Sequence, residues 1–293
     1  MTSKLSYSRV FINVFFVLLC MLMVLPILLV VSISFTDESV LNSLGYHFIP
    51  QKWSTEAYRI ILGSPAQLLQ AYGVTITVAV IGGVSSLLLT SMLSYSISRR
   101  DYRYARITTF YVIFTMLFSG GLVPFYILVT QYLHLKDTIW ALIIPYLLNP
   151  FYVLIMKGFM DKIPSEIIES AKLDGASEWR IFLKIILPLS TPALATVGLF
   201  IVFTYWNDWW LGLLFIDNPK LVPIQLLLYR TMNTIEFLAN NSGNINVSVD
   251  MSQFPSLSAR MALAVLAAGP MMFVFPFFQK HFVKGMTLGS VKG

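Results

Sequence analysis

VFINVFFVLLCMLMVLPILLVVSIS, residues 10–34, is one continuous apolar run, and its reading decides the fold. A helix needs about 20 apolar residues to cross the hydrocarbon core of a bilayer, and this run exceeds that. Lys4 and Arg9 precede it as they would precede a signal peptide. The run is too long for the apolar part of a signal and lacks a small-x-small cleavage site, so it reads as a retained first membrane helix. The whole chain agrees: of 293 residues, 57% are hydrophobic and 12% charged, with mean hydropathy +0.74. Soluble domains carry about 25% charged residues. No core at this length hides so much apolar surface, so lipid is the solvent.

Working outward, apolar stretches of spanning length recur at about 71–97, 107–131, 138–157, 188–216 and 259–279. The expectation is an all-α membrane protein, one transmembrane domain over 1–293 with six transmembrane helices. Pro26, Gly82, Gly83, Pro124, Pro145, Pro270 and Pro276 fall inside these runs, where packed membrane helices tolerate them. The second run is rich in small residues (Gly82, Gly83, Ser85, Ser86, Ser91, Ser94, Ser96), which let backbones approach closely and place it inside the bundle.

Orientation follows from the cations. With the N-terminus cytoplasmic, the inside holds Lys4 and Arg9, then Arg99, Arg100, Arg103 and Arg106. It also holds Lys157, Lys162, Lys172, Arg180 and Lys184, with Lys280, Lys284 and Lys292 in the tail. Of the 20 Lys and Arg, only Lys52, Arg59, Lys136, Lys220, Arg230 and Arg260 fall outside. Both termini are therefore expected in the cytoplasm, and 35–70 and 217–258 become long outer segments, the latter Asn/Ser-rich around Asn240–Asn244. The net charge of +6 then marks cytoplasmic loops rather than nucleic-acid binding. Cys20 is the single cysteine, and His47, His134 and His281 are scattered, so neither a disulfide nor a metal cluster is expected.

Between the fourth and fifth runs lies IPSEIIESAKLDGASEWRIFLKIIL, residues 163–187. Pro164 suits a first helical position, and Glu166 suits the positive end of a helix dipole. Ile167, Ile168 and Ala171 fall on one face, and Gly175 stands where a left-handed residue ends a helix. Ser177 can cap a second helix, in which Trp179, Phe182, Leu183 and Ile186 follow helical spacing. Amphipathicity alone would also fit a plain connecting loop resting on the bilayer.

The spacing adds more. The segment resembles the coupling loop of binding-protein-dependent, ATP-binding-cassette importer permeases: Glu-Ala-Ala, three residues, Gly, nine residues, Ile, one residue, Leu-Pro. Glu169, Ala171, Gly175, Ile185, Leu187 and Pro188 stand at those positions, with Ser170 replacing the first alanine. Six fixed residues match by chance on the order of 10⁻⁷ per register. Asp174–Ser177, Leu187–Leu189 with Pro192, Trp206-Asn207 and the Pro50–Tyr58 stretch look like the carbohydrate branch, and the long segment 217–258 is similar to permeases for polysaccharide fragments such as alginate oligosaccharides.

The resemblance implies a cytoplasmic coupling helix between spans 4 and 5, seated in a groove of a separate ATPase. Glu166, Glu169, Ala171, Asp174, Gly175 and Ala176 would form that contact, and this chain would have no catalytic residue. The partners implied are a second homologous permease, two ATP-binding-cassette ATPases and an extracytoplasmic sugar-binding protein, in a bacterial inner membrane. The chain contains no Gly-x-x-x-x-Gly-Lys-Ser/Thr, so ATP and Mg²⁺ would belong to the partner ATPase and no cofactor to this chain.

Asp208 is the only carboxylate inside an expected span, in Tyr205-Trp206-Asn207-Asp208-Trp209-Trp210. Aromatic rings beside amides and carboxylates suit a sugar path, and an aromatic belt or a cap on a kinked helix suits the same residues. An ion-coupled secondary transporter would require a relay of intramembrane carboxylates or histidines, which Asp208 alone does not make. A permease for a non-sugar solute, or a membrane scaffold, completes the alternatives.

Overall fold

The computed structural model describes residues 7–63, 65–241 and 256–287. These are almost entirely helical, and among them the sole β pairing is an isolated antiparallel bridge between Thr36 and Trp53. Lys4, Lys292 and the Asn/Ser-rich residues 242–255 lie outside the described residues. Three helices are continuous and apolar over spanning length: α1 (Tyr7–Ser34), a later helix Pro65–Ser98, and one at the C-terminal end, Ser256–Thr287. Three further pairs reach spanning length only as bent units, giving six spans when each pair counts as one.

The chain divides into two units. The first contains residues 1–68 and 228–269. Here α1 exposes almost all of Val10–Leu28, as a helix solvated by hydrocarbon must, and becomes buried only at Ser32–Ser34. Segment 35–70, expected outside, is not an irregular loop. It folds as α2 (Glu38–Leu44) and α3 (Glu56–Leu62), and then enters α4 (Pro65–Ser98) earlier than hydropathy suggests. Polar and aromatic contacts fasten it to the end of α1: Phe35 stacks on Tyr58 at 4.8 Å, the Ser34 and Tyr58 hydroxyls lie 2.8 Å apart, and Lys52 pairs with Asp37 at 2.9 Å.

The second unit contains residues 69–227 and 270–293. Within it α4 is buried along one face, with Ser86, Thr90, Ser91 and Ser94 closed off, as its small residues suggest. The next span breaks at Ser119-Gly120-Gly121 into α5 (Ala105–Leu117) and α6 (Leu122–Ile127, continued to Tyr132), bent by 110°. Gly121 adopts φ +88°, a conformation open to glycine at little cost. The fourth breaks at Asn149-Pro150, between α7 (Trp140–Ile143, tightened to a 3₁₀ turn through Tyr146) and α8 (Pro150–Met160). Asn149 caps α8 by accepting from the Phe151 amide at 2.9 Å, and Pro150 takes the first helical position.

Residues 163–187 form α9 (Ser165–Leu173) and α10 (Glu178–Ile181), which runs through a wide π turn, Phe182–Ile186, into α11 (Leu187–Leu189). A sharp bend of 83° leads to α12 (Thr191–Trp206), and a second break at Asn207–Trp209 precedes α13 (Trp210–Phe215). The expected span 188–216 is thus not one helix. Two more helices complete the chain: α14 (Ile224–Asn241), inside a segment expected to be loop, and α15 (Ser256–Thr287). Apolar side chains beneath the polar composition explain α14: Ile224 and Leu226 are fully buried, and the Thr75 hydroxyl accepts from the Ile224 amide at 2.8 Å.

Candidate functional site

The loop 163–187 is built around one turn. Gly175 has φ +76°, its amide donates to the Lys172 carbonyl, and the Ala176 amide reaches back to the Ala171 carbonyl, each at 3.0 Å. This double closure ends α9 as a left-handed C-cap does, with the last carbonyls satisfied. Nothing lies within 4 Å of where a Gly175 Cβ would stand, so the backbone conformation, not space, demands glycine. Ser177 caps α10, its hydroxyl accepting from the Arg180 amide at 3.4 Å.

The buried face differs from helical spacing. Ala171 is buried and Ile168 half-buried, whereas Ile167 is open. In the second arm Ile181, Phe182 and Ile186 are buried, while Trp179 and Leu183 are more than half or half exposed, at 58% and 50%. The π turn adds a residue to its loop of chain, which brings Ile186 onto the buried side with Ile181 and Phe182 and leaves Leu183 off it. Glu166, Glu169 and Asp174 are exposed, and none forms an ion pair among the described residues. Leu173, beside the turn, is 89% exposed.

A feature that charge counting did not reveal lies behind this turn. Arg99, at the end of α4, donates through Nε to Asp101 at 2.7 Å and through Nη1 to the Tyr95 hydroxyl at 2.8 Å, and it also bonds Glu178. Lys172 closes the ring, 2.8 Å from Asp101 and 3.2 Å from Glu178. Only 9% of the Arg99 side chain is exposed. The hydrogen bond to Asp101 raises the Arg99 pKa above its ordinary value, and the Arg99 bond holds the Asp101 carboxyl well below the usual carboxylate range. Burial pushes Glu178 up, but hydrogen bonds from Arg99 and Lys172 outweigh it and leave it lowered. Cavities of about 470 and 380 Å³ flank the ring, one walled by Trp179 and Phe182, the other by Glu166 and Glu169.

The second candidate group lies at the break after α12. Tyr205 and Trp206 are buried, and the Tyr205 hydroxyl donates to the Ile143 carbonyl at 3.0 Å. That carbonyl is freed where the chain tightens around Pro145, so the tyrosine satisfies a polar group that lipid could not. Asp208 accepts from the Tyr146 hydroxyl at 3.1 Å and the Leu211 amide at 3.4 Å, which seats its carboxylate at the start of α13. Asn207 is exposed, its carboxamide oxygen 3.5 Å from the Gln225 amide nitrogen. The structure therefore gathers Tyr205 and Asp208 with Tyr146 into one joint and leaves Asn207 facing outward from it. Trp209 and Trp210 are partly open and meet edge to face at 5.7 Å.

Sequence reasoning missed two residues that hold these elements. Tyr146 carried no signal without its partner. Glu38 is buried and accepts from the Leu257 and Ser258 amides at 2.9 and 3.1 Å and from the Ser258 hydroxyl at 2.8 Å, capping α15. Among the described residues no group of three His, Cys, Asp or Glu side chains is arranged to hold a metal.

Known proteins share this arrangement. Residues 87–288 match the family model described as the binding-protein-dependent transport system inner membrane component. The chain is 39% identical over 279 residues to the polygalacturonan/rhamnogalacturonan transport system permease protein YtcP of Bacillus subtilis, covering 95% of this chain and 96% of that one. It is 26% identical over 299 residues to the arabinooligosaccharides transport system permease protein AraQ of the same organism, covering 99% and 98%. Among solved structures, a chain of a bacterial ABC transporter involved in the import of the acidic polysaccharide alginate superposes with a TM-score of 0.78 at 28% identity, over 96% of this chain and 100% of that one. An apolar helical chain with this turn, matched over more than half its length, belongs to the family of binding-protein-dependent transport system inner membrane components and is a permease subunit of an ATP-binding-cassette importer.

Proposed function

We propose that this permease forms half of the translocation path for an oligosaccharide rich in acidic sugars, and that residues 163–187 couple it to the ATPase. The observation that carries the coupling reading is the exposed turn itself. Glu166, Glu169 and Asp174 lack ion partners among the described residues, and Leu173 stands almost fully open beside a rigid Gly175 cap. Carboxylates and an apolar tip held on a fixed turn are what a groove in a partner protein can recognise. In this reading two ATPases carry ATP and Mg²⁺, a second homologous permease completes the path, and an extracytoplasmic binding protein delivers the sugar to the outer segments. Ala171 and Ala176 keep the turn's inner side small.

The substrate class is supported by relatives named for polygalacturonan and for alginate. An anionic sugar would be repelled by a bare carboxylate in its path, and Asp208 is engaged by Tyr146 and the Leu211 amide. Asn207 is the path-facing group of the four, while Tyr205, Trp206 and Asp208 hold the bend behind it.

The topology proposed has both termini in the cytoplasm and six spans, each bent pair counting as one. Contacts support the sidedness: Arg99 and Asp101 touch Lys172 and Glu178, all assigned inside. Asp137 accepts from the Asp217 and Asn218 amides at 2.7 and 2.8 Å, and Gln70 donates to the Lys220 carbonyl at 3.0 Å, all assigned outside.

Co-purification in detergent with the ATPase of the same cell tests the coupling reading. Wild type should retain the ATPase, and Glu169→Lys and Gly175→Pro should release it. Equal retention by both variants would remove the loop from that role. Uptake of oligogalacturonate against neutral arabinooligosaccharide by the reconstituted importer tests the substrate class.

A further inference from the structure

We propose that the closed ring Arg99–Asp101–Lys172–Glu178 is the joint through which movement of the coupling turn reaches α4. This rests on the coupling reading above and adds to it the residues that pass the motion on. They are positioning residues: none is assigned to the ATPase contact or the sugar path.

The placement of the four charges is the reason. Lys172 lies in the last turn of α9 and Glu178 in the first turn of α10, so they bracket Gly175 from both sides. Each is tied to the same short stretch after α4, Lys172 to Asp101 and Glu178 to Arg99. Fastening one arm alone would leave the turn free to pivot. Fastening both makes the turn and the end of α4 move together.

The ring is also more than a set of surface ion pairs, which hold little by themselves. Its hub is nearly enclosed, and the Arg99 fork makes four hydrogen bonds: Nε on Asp101, Nη1 on Tyr95 and Glu178, Nη2 on Asp101 again. A planar guanidinium can serve those directions at once, and a lysine ammonium cannot. The Arg99 guanidinium sits 5.5 Å from the centre of the Tyr95 ring, and Tyr95 in turn packs on Phe182 of the second arm at 5.5 Å between ring centres. Charge and aromatic contacts therefore fix the same two elements.

From this joint α4 runs on as one unbroken helix to Gly82 and Gly83, which meet Tyr205 and Val202 of α12. Tyr205 belongs to the break that carries Asn207 and Asp208. A single rigid element thus connects the coupling turn with the bend beside the proposed sugar path.

The test uses the purified complex of this chain with its partner permease and ATPase, in a Cys20→Ala background carrying Asn207→Cys as reporter. Maleimide labelling of position 207 is timed with and without ATP plus vanadate, so no sugar is needed. With the ring intact, nucleotide trapping should change the labelling rate roughly fivefold or more, the lower range of coupling between linked sites. Lys172→Met and Arg99→Lys should abolish that change while the ATPase stays bound and hydrolyses ATP, and Lys172→Arg should keep it. Thermal unfolding of each variant in detergent separates loss of coupling from loss of fold, and exposed Lys172 is the variant expected to fold normally. An unchanged response in Lys172→Met and Arg99→Lys overturns the joint. So does loss of the ATPase from the ring variants alone, which would make the ring a docking surface. If wild type itself binds no ATPase, the coupling reading fails, and the joint fails with it.

Discussion

Glu38 shows how one side chain can fix the entry of a membrane helix. Its carboxylate takes the first free amides of α15, groups that have no partner within the helix, and it is itself only 6% exposed. Glu38→Ala removes the acceptor and leaves buried donors unsatisfied, at a cost of about 1–3 kcal/mol. Thermal unfolding in detergent should show the loss, and an unchanged midpoint would mean that water serves those amides equally well. Gly175 makes a different kind of demand. Its φ of +76° costs a residue with a Cβ about 1–2 kcal/mol, less for Asn, whose short polar side chain tolerates the left-handed region. Gly175→Ala should therefore weaken ATPase retention more than Gly175→Asn does, and the reverse order would mean that side-chain size at the turn, not its φ, decides the contact. At the break after α12, Asp208→Asn should lower turnover for every sugar with little change in KM, because the residue holds a bend. Asn207→Ala should instead raise KM, because its amide faces outward. Uptake kinetics on both variants separate the two roles.

At the scale of elements, α4 and α12 meet through glycine. A Cβ at Gly82 would lie 2.6 Å from the Tyr205 ring, which cannot swing aside without giving up its bond to the Ile143 carbonyl. Gly82→Ala should destabilise by about 1–3 kcal/mol, the usual cost of overpacking. Gly73→Ala on the same helix, with nothing within 4 Å, should be neutral or slightly stabilising. Unfolding midpoints of the pair check this, and equal shifts would exclude the close approach. The small-residue run of α4 made its burial legible in sequence, as the apolar runs made the spans legible. The breaks were less so. Hydropathy averages over a window, and the 110° and 83° bends at Phe118–Gly121 and Ser190 leave that average unchanged. Gly120-Gly121 and Asn149-Pro150 carried the turn signals, but tolerance of such residues in membrane helices masks them. The turn between α9 and α10 was legible through Gly175 and Ser177, whose local chemistry decides their backbone. The face of the second arm was not, because the π turn at Phe182–Ile186 shifts the register that spacing assumes. The ring of four charges was hidden for another reason: Arg99 and Lys172 entered the count only as cytoplasmic cations, and pairing with Glu178 and Asp101 across 79 and 71 positions of chain has no local signature.

At the scale of the molecule, the asymmetry of Lys and Arg sets a direction that single-cysteine labelling can read. Cys20 is the only native thiol, so a Cys20→Ala chain gives a clean background. Ser170→Cys lies on the exposed side of α9, and Ser43→Cys lies on exposed α2 in the outer segment. With the N-terminus inside, an impermeant maleimide applied to intact spheroplasts should label position 43 and spare position 170. Inside-out vesicles should reverse the pattern. Three crossings separate the two sites when α4 and the bent pairs α5–α6 and α7–α8 each cross once. Should one pair alone be re-entrant, returning to the face it entered from, positions 43 and 170 would label from the same side. The charge count opposes that outcome: re-entry of one pair would move Lys157, Lys162, Lys172, Arg180 and Lys184 to the outside, against the usual retention of cations in the cytoplasm. It would also separate Lys172 and Glu178 by a membrane from Arg99 and Asp101, which they touch.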